Sequence, residues 1–304
     1  MRVASIDIGT NTILLLIADL DGRKLKSLFE KESIVRLGEG VQKNGVLSQE
    51  AMERGIQTLT EYLGKSHIMG VEKIFAVGTS ALREARNSMD FIERVKEELD
   101  LSIEIISGEE EAQLSFLAIA KDLREVKKPI LVVDIGGGST EFVLGRGDQI
   151  IQWVSLPLGS VRFTEQFLHS DPVQEKEWAK MVKEIRRLLV KIPHPEEPCS
   201  MVAVAGTATA LAAVEQGLKK FVPEKIHHFS LRQEALEKQL LLYRSKTLDE
   251  RKKIPGLSPA RADVILAGSA ILHEAMKELQ RSSVLISVHG VRYGVLYKKI
   301  AEFG

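Results

Sequence analysis

Cysteine is almost missing from this chain: Cys199 stands alone. One thiol makes no internal disulfide and no thiolate metal cluster, which fits a reducing interior. Net charge is missing as well, with 42 basic residues against 42 acidic ones. The molecule as a whole therefore exerts no long-range pull on polyanions, and an anion site must be local. No uninterrupted apolar run approaches the ~20 residues that span a bilayer. No low-complexity segment occurs, and the first residues enter a strand pattern without a charged-then-apolar leader. The full GxxxxGK[ST] pattern of a Walker loop is absent too. The expectation is a soluble cytoplasmic protein with no nucleic-acid or membrane partner.

What is present is a globular composition, 44% hydrophobic and 28% charged, over 304 residues. That length predicts two domains of about 150 residues each. One phrase occurs twice: "VASIDIGTNTIL" (3–14) and "LVVDIGGGSTEF" (131–142). In each, an apolar strand ends in Asp-Ile-Gly and a small polar turn leads to a second strand. Strands over 2–8, 13–19 and a third after "DG" (21–22) form one meander; strands over 130–135, 140–146 and 149–156 form another. A helix from Ser48 to about Met69 follows the first, with Ile56, Leu59 and Leu63 at helical spacing. Strand 73–78, helix 88–99, strand 102–106 and a helix capped by Ser107 and Glu110 complete that half. The second half continues with a helix over 173–191 and a strand over 201–205 that enters a Gly-Thr turn. Helices over 230–244 and 259–280, strand 283–288 and a last helix follow. Meander, helix, strand, helix, strand, helix in each half is a repeat at domain scale, predicting two similar α/β units facing one another. The expected division is 1–125 and 126–304, with the last helix (291–304) crossing back to the first unit.

Both turns suit phosphate. Their glycines, Gly9 and Gly136, Gly137 and Gly138, permit positive φ and expose backbone N–H groups. Thr10, Asn11 and Thr12, and in the second copy Ser139 and Thr140, add side-chain donors. Asp7 and Asp134 close to the strand ends would repel phosphate unless a divalent cation intervened, so they predict Mg²⁺. Two such hairpins would grip a phosphate chain across a cleft. A strand rather than a helix follows "GGGST", which separates the pattern from a dinucleotide fingerprint.

"SIDIGTNT" with "VDIGGGSTE" in duplicated α/β domains resembles the actin-like superfamily of sugar kinases, chaperone ATPases and actin. More narrowly, the chain resembles the exopolyphosphatase/guanosine pentaphosphatase (Ppx/GppA) family. "DIGTNT" (7–12), "GTSALREARN" (78–87), "ISGEEEA" (106–112), "DIGGGSTE" (134–141), "LPLGSVRFTE" (156–165), "AGTATALAA" (205–213) and "RADVILAG" (261–268) occur in the family's order. The resemblance implies two actin-like (ribonuclease H-like) domains, each a mixed sheet with helices on both faces, and an active site in the interdomain cleft. It implies hydrolysis of the terminal phosphoanhydride of inorganic polyphosphate or of guanosine pentaphosphate. Glu111 matches the family's catalytic glutamate and Glu141 its second essential one; either could orient or deprotonate the attacking water. Arg83 matches a phosphate-clamping cation, and Gly206 with Thr207 matches a second-domain nucleotide loop. The long members' C-terminal helical region is not present before Gly304, which points to a short form acting on shorter polyphosphates or the guanosine nucleotide. A homodimer is implied by the resemblance alone.

Other residues read as ordinary. Glu109 and Glu110 serve the helix dipole and cap, and Arg86 lies on the surface. His227 and His228 are adjacent, so in a helix or strand they would point apart and make a poor metal site; a solvated loop is expected. "RKK" (251–253) in "LDERKKIPG" is a solvated face that could guide a polyanion. In "VHGVRYG" (288–294) the wording departs from the family's, leaving Arg292 a weak anion contact and His289 and Tyr293 without a role. The competing reading from another class is an actin-like ATP-binding switch or sugar kinase; a third is a silent phosphate sensor.

Overall fold

A computed structural model describes residues 1–22 and 24–303. Gly304, on which the expectation of a short form turns, lies outside the described residues. The chain divides into two compact units, Met1–Ala118 with the segment from Val291 onward, and Ile119–Gly290.

The elements run as follows. β1 (Arg2–Ile8), β2 (Thr12–Asp21) and β3 (Lys24–Ile34) lead to α1 (Val41–Asn44) and α2 (Gln49–Ile68). β4 (Lys73–Gly78), α3 (Ser80–Glu84), α4 (Ser88–Leu99), β5 (Ile103–Ile105) and α5 (Gly108–Asp122) follow. Then come β6 (Ile130–Ile135), β7 (Thr140–Arg146), β8 (Gln149–Leu156), α6 (Ser160–Phe167) and α7 (Glu175–Leu189). β9 (Ser200–Val204), α8 (Ala205–Glu215), α9 (Pro223–Ile226), β10 (Phe229–Arg232) and α10 (Gln233–Arg244) continue the chain. α11 (Leu248–Arg251), a 3₁₀ turn (Pro259–Arg261), α12 (Ile265–Glu278), β11 (Ser283–Ile286) and α13 (Val291–Phe303) end it.

The first sheet has the order β3-β2-β1-β4-β5 and the second β10-β11-β9-β6-β7-β8. Reversed, the second reads β8-β7-β6-β9-β11 with β10 added at the edge, so the repeat seen in the sequence is a repeat of sheet topology. Both sheets are mixed: β1 pairs antiparallel with β2 and parallel with β4, as β6 does with β7 and β9.

Strand alternation decides what each face meets. Ala4, Ile6 and Ile8 with Ile13, Leu15 and Ile17 pack against α2 and α4 through Leu59, Tyr62 and Phe91. Val3, Leu16 and Ala18 point the other way, onto Ala118, Tyr293 and Leu296 of α5 and α13. Helices thus cover both faces. In the second unit Leu131, Val133, Ile135, Phe142 and Leu144 join Met181 and Ile185 of α7 and the buried length of α12 in one core; each such side chain contributes about 1.5–3 kcal/mol on burial. Asp134 and Glu141 have the opposite parity, as Asp7 does in the first unit, and so leave the larger core. No helix among the described residues is long and apolar enough to cross a membrane.

Three expected elements differ. Residues 230–244 divide into β10 and α10, because Phe229–Arg232 pairs antiparallel with β11. No separate Gly-Thr turn follows β9: α8 begins at Ala205, whose φ of 68° makes the turn in one residue. The helix expected over 259–280 opens with the 3₁₀ turn and starts at Ile265.

Candidate active site

Polar groups gather where strands end. In the first unit β1 runs into a turn closed by Gly9 N–H donating to Thr12 O at 2.9 Å. Gly38 N–H takes the Thr10 carbonyl at 2.8 Å, and Val35 and Arg36 share that of Asn11, each at 2.9 Å. With the carbonyls drawn aside, the N–H groups of Thr10 and Asn11 find no acceptor among the described residues. Thr10 Oγ1 and Asn11 Nδ2 are likewise buried with no partner there. A buried polar group left unsatisfied costs about 1–3 kcal/mol, so a turn holding several is shaped for an acceptor-rich ligand. Thr12 opens β2 beside them, half-buried.

The second turn is built alike. Gly136 N–H donates to Ser139 O at 2.9 Å, and the start of α6 collects the carbonyls: Ser160 N–H that of Gly136, Val161 and Arg162 N–H that of Gly137. Arg162 Nε takes Gly138 O at 2.6 Å. The N–H groups of Gly137, Gly138 and Ser139 again find no acceptor among the described residues. None of Gly9, Gly136, Gly137 and Gly138 takes the positive φ open to it; Gly9 and Gly136 serve close approach instead. A Cβ on Gly136 would stand 3.1 Å from Ser139 O, one on Gly9 3.2 Å from Thr12 O, and one on Gly159 only 2.2 Å from Gly137 O. Thr140 is fully buried and its hydroxyl donates to Leu158 O, so its proton is turned away from the turn.

The acids divide between the units. In the ladder Asp134 lies directly opposite Glu141, and Glu141 opposite Ser155. Opposed residues share a sheet face, so β6, β7 and β8 carry a row of carboxylate, carboxylate and hydroxyl. Ser155 Oγ donates to Glu141 Oε1 at 2.7 Å, and Glu141 is 1% exposed. In the first unit Asp7 faces Leu14 instead: the duplicated hairpin carries the acid pair once.

Glu111 owes its place to α5. Ser107 and Glu110 cap that helix reciprocally, at 3.1 and 3.2 Å, which fixes Glu111 on a stripe with Leu114, Ser115 and Ala118, all buried. Arg83 from α3 reaches it: Nη1 donates to Glu111 Oε2 at 2.6 Å and to Ile106 O at 3.0 Å. The structure therefore joins two residues that the sequence kept apart as clamp and base. Arg86 is exposed, as expected.

α8 starts at the same end of the second sheet as the Gly136 turn, since Val204, the last residue of β9, pairs with Asp134. Gly206 and Thr207 lie in the first turn of α8; a Cβ on Gly206 would stand 2.0 Å from Arg261 Nη1, and Thr207 Oγ1 lies 2.4 Å from where a Cβ on Gly268 would be. Thr207 thus packs close to Gly268, and the Arg261 guanidinium lies over Gly206. Arg292, the weak anion-contact candidate, is largely buried and donates to Glu30 Oε2 at 2.5 Å, with the Tyr293 hydroxyl on the same carboxylate. Arg251 of "RKK" is buried beside Asp171 rather than solvated.

Over residues 16–303 the sequence matches the Ppx/GppA phosphatase family. The chain belongs to that family. Exopolyphosphatase 2 of Mycobacterium tuberculosis is 34% identical to it over 97% of each chain. A bifunctional 3-dehydroquinate synthase/phosphatase of Fusobacterium nucleatum is 34% identical over 98% of this chain, which spans 46% of that relative's length. Among solved structures, the Aquifex aeolicus Ppx/GppA family member superposes with a TM-score of 0.84 at 35% identity, covering 100% and 99% of the two chains. An exopolyphosphatase from Cytophaga hutchinsonii gives 0.90 at 28% identity over 99% and 98%. The fold is accordingly the two-domain actin-like one of these Ppx/GppA proteins.

Three Ppx/GppA site neighbours escaped the sequence reading: Ser155, Arg162 and Arg261. Arg162 and Arg261 stand inside the motifs "LPLGSVRFTE" and "RADVILAG", so a signal existed for both. Ser155 is found only by counting across the β7–β8 hairpin, and the register shift at Leu144/Gly145 defeats the count.

Proposed function

We propose that this protein is an exopolyphosphatase that releases orthophosphate from the end of inorganic polyphosphate. The observation that carries the reading is the pair of turns in which five backbone N–H groups find no acceptor among the described residues, joined in the first turn by the buried Thr10 Oγ1 and Asn11 Nδ2; a phosphate chain supplies acceptors and negative charge in series. The full-length likeness to a protein named exopolyphosphatase supports the same substrate.

In this reading the turns at Gly9–Thr12 and Gly136–Ser139 bind phosphate oxygens, and Glu111 is the base. A water oxygen forms a bond to the terminal phosphorus while the bridging P–O bond breaks. The water proton passes to Glu111, and the shortened chain leaves with the bridging oxygen. Arg83, held now by Glu111 and Ile106 O, is placed to turn to an incoming phosphate and release the carboxylate. Ser155 holds Glu141 in orientation through its hydroxyl. In the second unit Asp134 with Glu141 opposite it, and in the first unit Asp7 at its strand end, offer the hard oxygen donors that a divalent cation such as Mg²⁺ prefers. Once bound, such a cation neutralises the acids beside the phosphates and stabilises charge on the transferring group. A cytoplasmic location agrees with the single thiol.

Orthophosphate release from polyphosphate, guanosine pentaphosphate and ATP tests the proposal. Release from polyphosphate that vanishes in Glu111→Gln is expected. Faster release from guanosine pentaphosphate would move the substrate to the nucleotide, and ATP turnover that needs a sugar, or no release at all, would overturn it.

A further inference from the structure

His227 and His228 do not point apart. His228 takes a left-handed φ of 62°, which turns both rings to one side, stacked with centroids 3.8 Å apart. The ring of His289 lies 4.5 Å from that of His227. All three face Asp122, at the end of α5: His227 Nε2 is 3.3 Å and His289 Nδ1 3.7 Å from Asp122 Oδ1, and His228 Nε2 is 2.8 Å from Oδ2. One ligand atom each from Asp122, His227 and His289 lies within 4.8 Å of the others.

We infer that Asp122, His227 and His289 form a binding site for a zinc-class divalent metal ion, built from residues other than those of the phosphate turns. Bonds of about 2.0–2.2 Å in tetrahedral array put ligand atoms about 3.3–3.5 Å apart, close to the two separations from Asp122 Oδ1. Two imidazoles with one carboxylate favour zinc, cobalt or nickel over Mg²⁺, which prefers oxygen. The fourth position is left for water.

The site is built in advance. Ser287 N–H donates to Ala203 O and His228 N–H to Ile286 O, at 3.0 and 2.7 Å, tying both histidine segments to the sheet. Ser287 Oγ accepts His289 N–H at 3.0 Å and lies 3.4 Å from His227 Nδ1. It is therefore placed to accept that proton when Nε2 binds metal, the outer partner such ligands require. Val288 N–H also points at His227 Nδ1, at 3.4 Å, and that weak contact is given up on binding. His228 holds the second oxygen of Asp122. Side-chain exposures of 20%, 20% and 11% for His227, His289 and Asp122 leave the ligands reachable.

The test is titration of the chelator-stripped full chain with Zn²⁺ by calorimetry, in excess Mg²⁺, and with Co²⁺ by visible absorption. Expected are one Zn²⁺ per chain, an intense tetrahedral-type Co²⁺ spectrum, and affinity lost in Asp122→Asn and His289→Ala. Ser287→Ala should weaken binding about 10-fold, in the range for an outer partner. No uptake by the wild type, uptake unaltered in both ligand variants, or displacement by Mg²⁺ would overturn the site. If a variant melts early, diethyl pyrocarbonate modification of the wild type gives the answer instead: Zn²⁺ should protect His227 and His289, and equal labelling with and without it refutes the inference.

Discussion

Replacing Arg83 by glutamine removes the cation that holds Glu111, and the structure sets the size of the effect. The pair is 2.6 Å apart with side-chain exposures of 21% and 10%, too buried for the near-zero value of surface pairs and not sealed from water. Hydrogen bonds to charged groups contribute about 1.5–3 kcal/mol. Arg83 also bonds Ile106 O, so Arg83→Gln is expected to destabilise the first unit by about 2–3 kcal/mol, a fall of roughly 5–10 °C in its melting midpoint. Glu111→Gln keeps the shape and removes only the charge, so its loss should be nearer 1 kcal/mol, while its kcat falls about 10²–10⁴-fold. Urea unfolding of both single variants and the double variant closes a cycle. The double should lose about 1–2 kcal/mol less than the two singles together. Additivity to within about 0.5 kcal/mol would refute the pair, and a kcat for Glu111→Gln within a few-fold of wild type would refute its role as base.

Other consequences are equally open to measurement. Ser155→Ala strips Glu141 of its hydroxyl donor and should lower stability by about 1–3 kcal/mol, read by urea unfolding, together with kcat. Gly159→Ala puts a methyl 2.2 Å from Gly137 O; α6 must move off the turn, so KM for polyphosphate should rise while stability drops by about 1–3 kcal/mol. Burial alone would raise the Glu274 carboxyl, but the bonds from His273 and Arg186 outweigh it and hold it at about 2 instead of 4.5. A depressed carboxylate stabilises the fold above its unfolded value, and that contribution, at most about 3 kcal/mol, fades as pH falls from about 4.5 towards 2. Wild type should therefore exceed Glu274→Gln in urea midpoint at pH 7, and the gap should narrow across that window; a constant gap would contradict the linkage.

The parts legible in the sequence were those written in neighbouring residues. β6, β7 and β8 end where their glycines, hydroxyls and charges say, and Ser48 caps α2 by accepting from Ala51 N–H. The duplicated Asp-Ile-Gly phrase revealed the repeated topology because both copies solve the same local problem. What stayed hidden depends on distant partners. β10 is four residues long and is a strand only because β11 lies beside it. Glu111 meets Arg83 across two helices, and Asp122 meets His227 from 105 residues away. The rings of His227 and His228 share a side because of one left-handed backbone angle that no neighbouring residue announces.

The hairpin that sets leucine against Asp7 in one half and glutamate against Asp134 in the other makes the halves unequal in what they sacrifice. A carboxylate at 1% exposure is a poor occupant of a sheet interior, and the first half sets an apolar side chain, Leu14, at the matching register position. Glu141→Leu should yield a tougher protein with a silent centre, so robustness and turnover compete for this one position, and resistance to heat gained there would be a sign of a dead catalyst.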